Sequence, residues 1–357
     1  MSTPPLPPPF QIPANLISAP ASIVIPLHAI PLGGPATAPQ NYKLGLLVQA
    51  TDDQGHASAA QLFEFDTGGQ GFWMHPTGSL PKPAIADCTL QISYTSGISY
   101  LAQPVTLRLT FPEATATLGT TVTVGVIGKI ENAQFPIFGA FYGDFGAALQ
   151  AFTGDAATPG SLLTALAQLP SPYNNGFIVD VGGYPPGSRS AGSGAQPRVI
   201  VGLTDALRAC FPQAVPMNAA APYAGQSGPV NTFAETLIQA ILTVNGASTP
   251  PIGVVFDTGA PQARVHTGNV VGDQFKPNTG DTVTLVPVPP AGAAPVPPFA
   301  VLDFVVGNPP NGAGSASQGA LNIPAGYINT GLNPFYSFPL MFDLQNGLVR
   351  FPALSNS

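Results

Sequence analysis

Short aliphatic and β-branched runs recur through most of this chain, and each is cut off by Pro, Gly, Ser or Asn before it grows long. That rhythm predicts strands joined by turns. Strands are expected over residues 21–27, 42–48, 89–94, 105–109, 121–127, 177–181 and 198–201. Helical spacing is scarce. Leu162, Leu163, Leu166 and Leu169 recur at helical intervals, Ser161 can cap the start and Pro170 stops the run, so 161–169 is expected to be a helix. Residues 204–211 read as a second short helix, and 234–242 fit helix or strand equally. Residues 1–20 are Pro-rich, and Pro7-Pro8-Pro9 favours an extended arm. Spacers rich in Gly and Pro are expected over 182–196 and 287–298. The pattern gives an all-β chain of two similar lobes, 21–205 and 206–357, with the crossover near 205–230.

Two of the apolar runs end in the same triplet. Gln61-Leu62-Phe63-Glu64-Phe65 leads into Asp66-Thr67-Gly68, and Gly253-Val254-Val255-Phe256 leads into Asp257-Thr258-Gly259. One Asp-Thr-Gly is an ordinary turn. Two copies, one in each half and each after a matching run, predict two carboxylates facing each other across a pseudo-twofold axis. Paired carboxylates that share one proton are suited to adding water to an amide.

Composition narrows the alternatives. Charged residues make up 8% of the 357, against about a quarter in ordinary domains. The formal charge is −7 and the ten Lys and Arg are scattered, which argues against nucleic acid or an anionic membrane as partner. No apolar run approaches the roughly 20 residues of a membrane span, and the first residues show no signal-peptide pattern. Secretion or the cell surface is favoured over the cytoplasm. The two cysteines, Cys88 and Cys210, are either one bridge or two buried thiols. His28, His56, His75 and His266 have no zinc spacing, so no metal or cofactor is expected. No Ser sits in a nucleophile elbow with a His partner.

Taken in order, the motifs over residues 40–352 resemble those of the pepsin-like aspartic proteases. Asp66-Thr67-Gly68-Gly69-Gln70-Gly71-Phe72-Trp73 resembles the first active-site motif, with the chain's only Trp seven residues after the Asp. Ile92-Ser93-Tyr94-Thr95-Ser96-Gly97 resembles the flap hairpin, Pro136-Ile137-Phe138-Gly139 the segment closing the first lobe, and residues 338–351 the closing hairpin. The resemblance implies a bilobal pepsin-like acid protease fold with a few short helices. It implies that Asp66 and Asp257 activate water, that Gly68 and Gly259 allow the tight turns, and that the Thr67 and Thr258 hydroxyls bond across to the opposite lobe. Tyr94 and Ser96 would lie over an extended peptide, and Trp73 would donate to Tyr94 through its indole N–H. The plainer readings are a turn threonine, a strand tyrosine and a core tryptophan. Both lobes lie in one chain, so a monomer suffices. The low charge and abundant Pro and Ala point to a bacterial source.

The chain departs from the family pattern in two places. The residue after each triplet usually carries a hydroxyl, and here the positions are Gly69 and Ala260. Losing a donor to the charged form should raise a carboxylate pKa and move an acidic optimum toward neutral. Glu64 stands where the family usually has an aliphatic residue lining the pocket before the scissile bond. It either selects a basic or polar side chain or is satisfied by a neighbouring donor. The leading reading is an aspartic endopeptidase, and the alternative is a catalytically weak or inactive binding or inhibitor protein on the same fold.

Overall fold

The computed structural model describes residues 10–32, 42–94, 96–153, 161–181, 196–225, 227–266, 277–289, 292, 298–306, 316–318 and 326–353. Within them the strand expectations hold at the level of elements. The regular pieces are strands and short 3-10 turns, with two five-residue α-helices, Asp205–Ala209 and Asn333–Ser337. Forty-three prolines explain this bias, because each removes a backbone donor and stops a helix. The expected helix over 161–169 is a correction. Ser161–Leu162 is a strand, and only Ala165–Gln168 turns, as a 3-10 segment capped by the Thr164 hydroxyl. Its leucines are buried on several sides rather than along one stripe, so helical spacing misread them. The ambiguous stretch resolves to the strand Ile238–Val244, whose residues alternate buried and half-buried. The spacer over 182–196 falls almost wholly outside the described residues, as does much of 287–298, where Pro287 and Val288 end the strand Thr282–Val288.

Three large sheets carry the described fold. The first has eight strands, in the order His28–Pro31, Tyr42–Thr51, Gln61–Asp66, Gly143–Gly146, Phe72–Met74, Gly119–Glu131, Ser99–Thr110 and Leu90–Ser93. The second begins Leu302–Val305, Thr282–Val288, Ile238–Val244, and continues through Ile252–Val255, Tyr327–Asn329, Ala263–His266 and Ala316–Gln318. A six-stranded sheet lies between them in composition. It takes Ile23–Pro26, Phe177–Asp180 and Arg198–Val201 from before residue 205, and Gln213–Pro216, Leu340–Asp343 and Leu348–Phe351 from after it. Phe177 stacks on Phe342 at 4.9 Å across that junction. Asp343, fully buried, accepts from Arg350 at 2.8 Å and Arg208 at 3.2 Å, which satisfies a charge that would otherwise be costly there. The described part of the Pro-rich arm is docked rather than free. Ile12 is buried against this sheet, and Phe10 meets Phe211 edge-on at 5.5 Å.

One arrangement occurs twice and positions the site. In the first sheet Gln61–Asp66 pairs in parallel with Gly143–Gly146, which pairs antiparallel with Phe72–Met74. In the second, Ile252–Val255 pairs in parallel with Tyr327–Asn329, which pairs antiparallel with Ala263–His266. Alternation then sorts the side chains of the first copy. Phe63 and Phe65 enter the core, and Glu64 and Asp66 take the other face.

Candidate active site

Both triplets leave their strands together and meet at the floor of a cleft of about 500 Å³. The meeting is held by a reciprocal set of hydrogen bonds. The Thr67 hydroxyl donates to Phe256 O at 2.7 Å and accepts from Thr258 N–H at 3.0 Å. The Thr258 hydroxyl donates to Phe65 O at 2.7 Å and accepts from Thr67 N–H at 3.0 Å. Thr258 is fully buried and Thr67 nearly so, so none of these bonds competes with water. The two glycines let the carboxyls approach. A Cβ on Gly68 would stand 2.6 Å from Asp257 Cγ, and one on Gly259 would stand closer still to Asp66.

The Asp66 and Asp257 carboxyls face each other across the floor, each against the glycine of the opposite triplet. Asp257 Oδ1 accepts from Gly259 N–H at 2.7 Å and Ala260 N–H at 3.0 Å, and its Oδ2 accepts from the Asn329 amide. Asp66 Oδ1 accepts from Gly68 N–H at 2.8 Å. Burial, and then the Asp257 and Asp144 carboxyls, push the Asp66 pKa well above the usual carboxylate range. More donors converge on Asp257 than on Asp66 among the described residues. Burial and the neighbouring carboxyls favour a proton on Asp66.

The other expected residues lie around this floor. Leu90–Ser93 and Ser99–Thr110 form a hairpin with Ile92 opposite Tyr100 and Ser93 opposite Ser99, closed by Tyr94 N–H to Ile98 O at 2.9 Å. Tyr94 and Ser96 line the cleft from this hairpin. Trp73 does not donate to Tyr94, although Tyr94 packs against the same cluster. Its indole N–H donates to Gln70 O at 2.7 Å, and its ring packs edge-on against Phe152 at 5.0 Å. The expected indole-to-tyrosine bond is thereby corrected, because the loop that follows the triplet folds back and presents its own carbonyl. The Tyr94 hydroxyl instead donates to Asp144 Oδ2 at 2.5 Å.

Glu64 has a partner. Lys43, on Tyr42–Thr51, bonds the Glu64 carboxylate and donates to Gly259 O at 2.6 Å, tying the first sheet to the second triplet. Burial pulls the lysine's pKa down, but Glu64, with help from Asp66 and Asp257, outweighs it and the net direction is up. Burial raises the Glu64 pKa against the pull of Lys43. Of the two readings of Glu64, the structure thus supplies the neighbouring donor. Glu235, Arg264 and His266 complete the charged lining from the second half. Burial, and then Arg264, pull the His266 pKa down, and its ring stacks on Tyr327 at 4.2 Å. Cys88 and Cys210 are both free and half-buried.

Lys43, Asp144 and Asn329 were missed in the sequence. Two of them carried a faint signal. Asp144-Phe145-Gly146 follows Asp66 by 78 positions, and Asn329-Thr330-Gly331 follows Asp257 by 72, so a small polar residue two before a Gly recurs in both halves.

No family model matches the chain, and no curated protein sequence matches it. Among solved structures it is similar to the aspartic proteinase from Irpex lacteus. The TM-score is 0.56 and the identity 14%, and the match covers 94% of this chain and 98% of that one. At that identity the likeness concerns the fold. The chain has the all-β, bilobal fold of a pepsin-like aspartic proteinase. Among the described residues no helix is long and apolar enough to cross a membrane.

Proposed function

We propose that the protein is an aspartic endopeptidase. The observation that carries this reading is the pair of facing carboxyls, Asp66 and Asp257, held by mirrored threonine bonds at the floor of a cleft. An extended peptide would lie between that floor and the Tyr94 hairpin, adding a strand-like partner to the cleft. Asp66, carrying the shared proton, donates to the scissile carbonyl oxygen. Asp257 takes a proton from a water held between the carboxyls, and that water adds to the carbonyl carbon. The tetrahedral intermediate then collapses. The C–N bond breaks as the nitrogen receives the proton taken up by Asp257, Asp66 takes a proton back from one hydroxyl of the gem-diol as the carboxyl product forms, and the pair returns to its shared-proton state. No covalent bond to the protein forms. Both carboxyls come from one chain, so a monomer is sufficient.

The test is cleavage of casein across acidic to neutral pH by the wild-type chain, by Asp66→Asn and by Asp257→Asn, with and without pepstatin. Each substitution is expected to lower kcat by about 10²–10⁴-fold while the fold survives by circular dichroism. Activity that persists in both variants would sink the assignment. A folded wild-type chain that cleaves nothing at any pH would transfer weight to a binding or inhibitory role.

A further inference from the structure

Asp144 is a third carboxyl at the dyad. It faces Glu64 in the parallel pairing of Gln61–Asp66 with Gly143–Gly146, which puts Glu64, Asp66 and Asp144 on one face. It is 3% exposed. Its Oδ2 accepts the Tyr94 hydroxyl at 2.5 Å, and its buried Oδ1 has no partner among the described residues. The same Oδ2 leans toward the dyad across the bare Cα of Gly69. A Cβ there would stand 2.8 Å from Asp144 Oδ2 and 2.9 Å from Asp66 Oδ2. The space that a side chain after the triplet would fill is thus flanked by two carboxyl oxygens.

The second half shows what this position does. Asn329 opposes Val255 and Arg264, as Asp144 opposes Glu64 and Trp73. Its amide donates to Asp257 Oδ2. A neutral carboxylic acid has the shape of that amide and, like it, carries a donor. An ionised one would have only acceptors, and it would put a negative charge beside Asp66.

We propose that Asp144 is a positioning residue that works as a neutral acid, holding the Tyr94 hydroxyl over Asp66 and giving Asp66 the uncharged neighbour that Asn329 gives Asp257. This rests on the endopeptidase reading for its catalytic consequence. The groups that face Asp144 are Glu64 and Asp66 from one strand, Lys43 from the next, Tyr94 and Tyr100 from the hairpin, and Asp257 from the opposite triplet. Burial and the Glu64 and Asp257 carboxyls, against the single cation Lys43, keep a proton on it. Burial and then Glu64 push its pKa well above the usual range, while Tyr94 and Lys43 pull the other way. As pH rises through its ionisation, a charge appears beside Asp66 and the neutral contact is lost. That event sets an alkaline limb of the pH–rate profile.

The experiment uses full-length Asp144→Asn, Asp144→Leu and Tyr94→Phe. Asp144→Asn is expected to keep kcat/KM within about tenfold of wild type and to move the alkaline limb upward. Asp144→Leu is expected to lose about a hundredfold, and Tyr94→Phe to add little on that background, because the two share one bond. Asp144→Asn as damaging as Asp144→Leu would overturn the proposal, since a charge would then be required. So would an unmoved limb with additive Tyr94 and Asp144 effects. A readout independent of cleavage is carbon-13 NMR of the aspartate carboxyls. The resonance missing in Asp144→Asn should titrate above the ordinary range in wild type, and higher still in Tyr94→Phe, where a donor to the ionised form is gone. A resonance already ionised at ordinary carboxylate pH refutes the neutral acid. A wild-type chain that cleaves nothing while this titration holds would sink the endopeptidase reading and leave the neutral acid standing.

Discussion

The two halves of the site share a backbone and differ in what flanks it. Each offers a strand, a triplet, a parallel neighbour and a returning strand. Around Asp257 the flanks are Val255, Ala260 and the Asn329 amide, with the acid Glu235 farther out, its pKa raised first by burial and then by Asp257. Around Asp66 they are Glu64, Gly69 and Asp144, with Lys43 as counter-charge. The lesson is a division of labour. The threonine bonds are symmetric because they build the floor, whereas the flanks are asymmetric because two equal carboxyls have to hold one proton between them.

The sharpest way to break the comparison is at its symmetric part. Thr67→Val strands Phe256 C=O and Thr258 N–H, and Thr258→Val strands Phe65 C=O and Thr67 N–H. Each group left alone in a buried place costs about 1–3 kcal/mol. The two variants should therefore lose equal stability in urea melts, and the double variant should lose less than their sum. A clear inequality between the single variants would show that the junction is not reciprocal.

The next test is asymmetric and smaller. Gly69→Ser places a Cβ against Asp144 Oδ2 and Asp66 Oδ2, and should cost about 1–3 kcal/mol through crowding. Ala260→Ser already has its Cβ in place and should stay within about 0.5 kcal/mol. A side chain at position 69 therefore meets a space that Asp144 and Asp66 already fill. Equal melting temperatures for the two variants would mean that Asp144 moves aside freely.

What was legible in the sequence follows the same division. The triplets, the hairpin and the closing strands are runs of adjacent residues, and each announces itself locally. Asp144 and Asn329 reach the dyad only through parallel pairing with strands far earlier in the chain, and a small polar residue two before a Gly is the one faint mark they leave locally. Trp73 stood at the expected place, but its partner was decided by the path of Gln70, a loop detail. The helix over 161–169 failed because leucines at helical spacing also suit a strand end and a 3-10 turn buried on several sides.

The mildest test reads the flanks through pH. Glu64, Asp66, Asp144 and Glu235 all have raised pKa values, with burial the first cause in each. A raised acid contributes stability that is complete below its unfolded value and is lost as pH rises through the folded one. Above about pH 4, the ordinary carboxylate value, the melting temperature should therefore fall toward neutrality. The lowered Asp52 and Asp281, each beside a turn, act in the opposite sense, and their contribution is lost only as pH falls below that range. The raised Lys43 keeps its contribution until alkaline pH. Each proton retained by the fold steepens the slope by up to about 1.4 kcal/mol per pH unit. Asp144→Asn removes one such proton and should flatten the fall. Asn329→Asp puts an acid beside Asp257, gives the second half the flank of the first, and should steepen it. If both variants melt with the wild-type slope, the flanking residues do not tune the pair, and the asymmetry between the halves is packing alone.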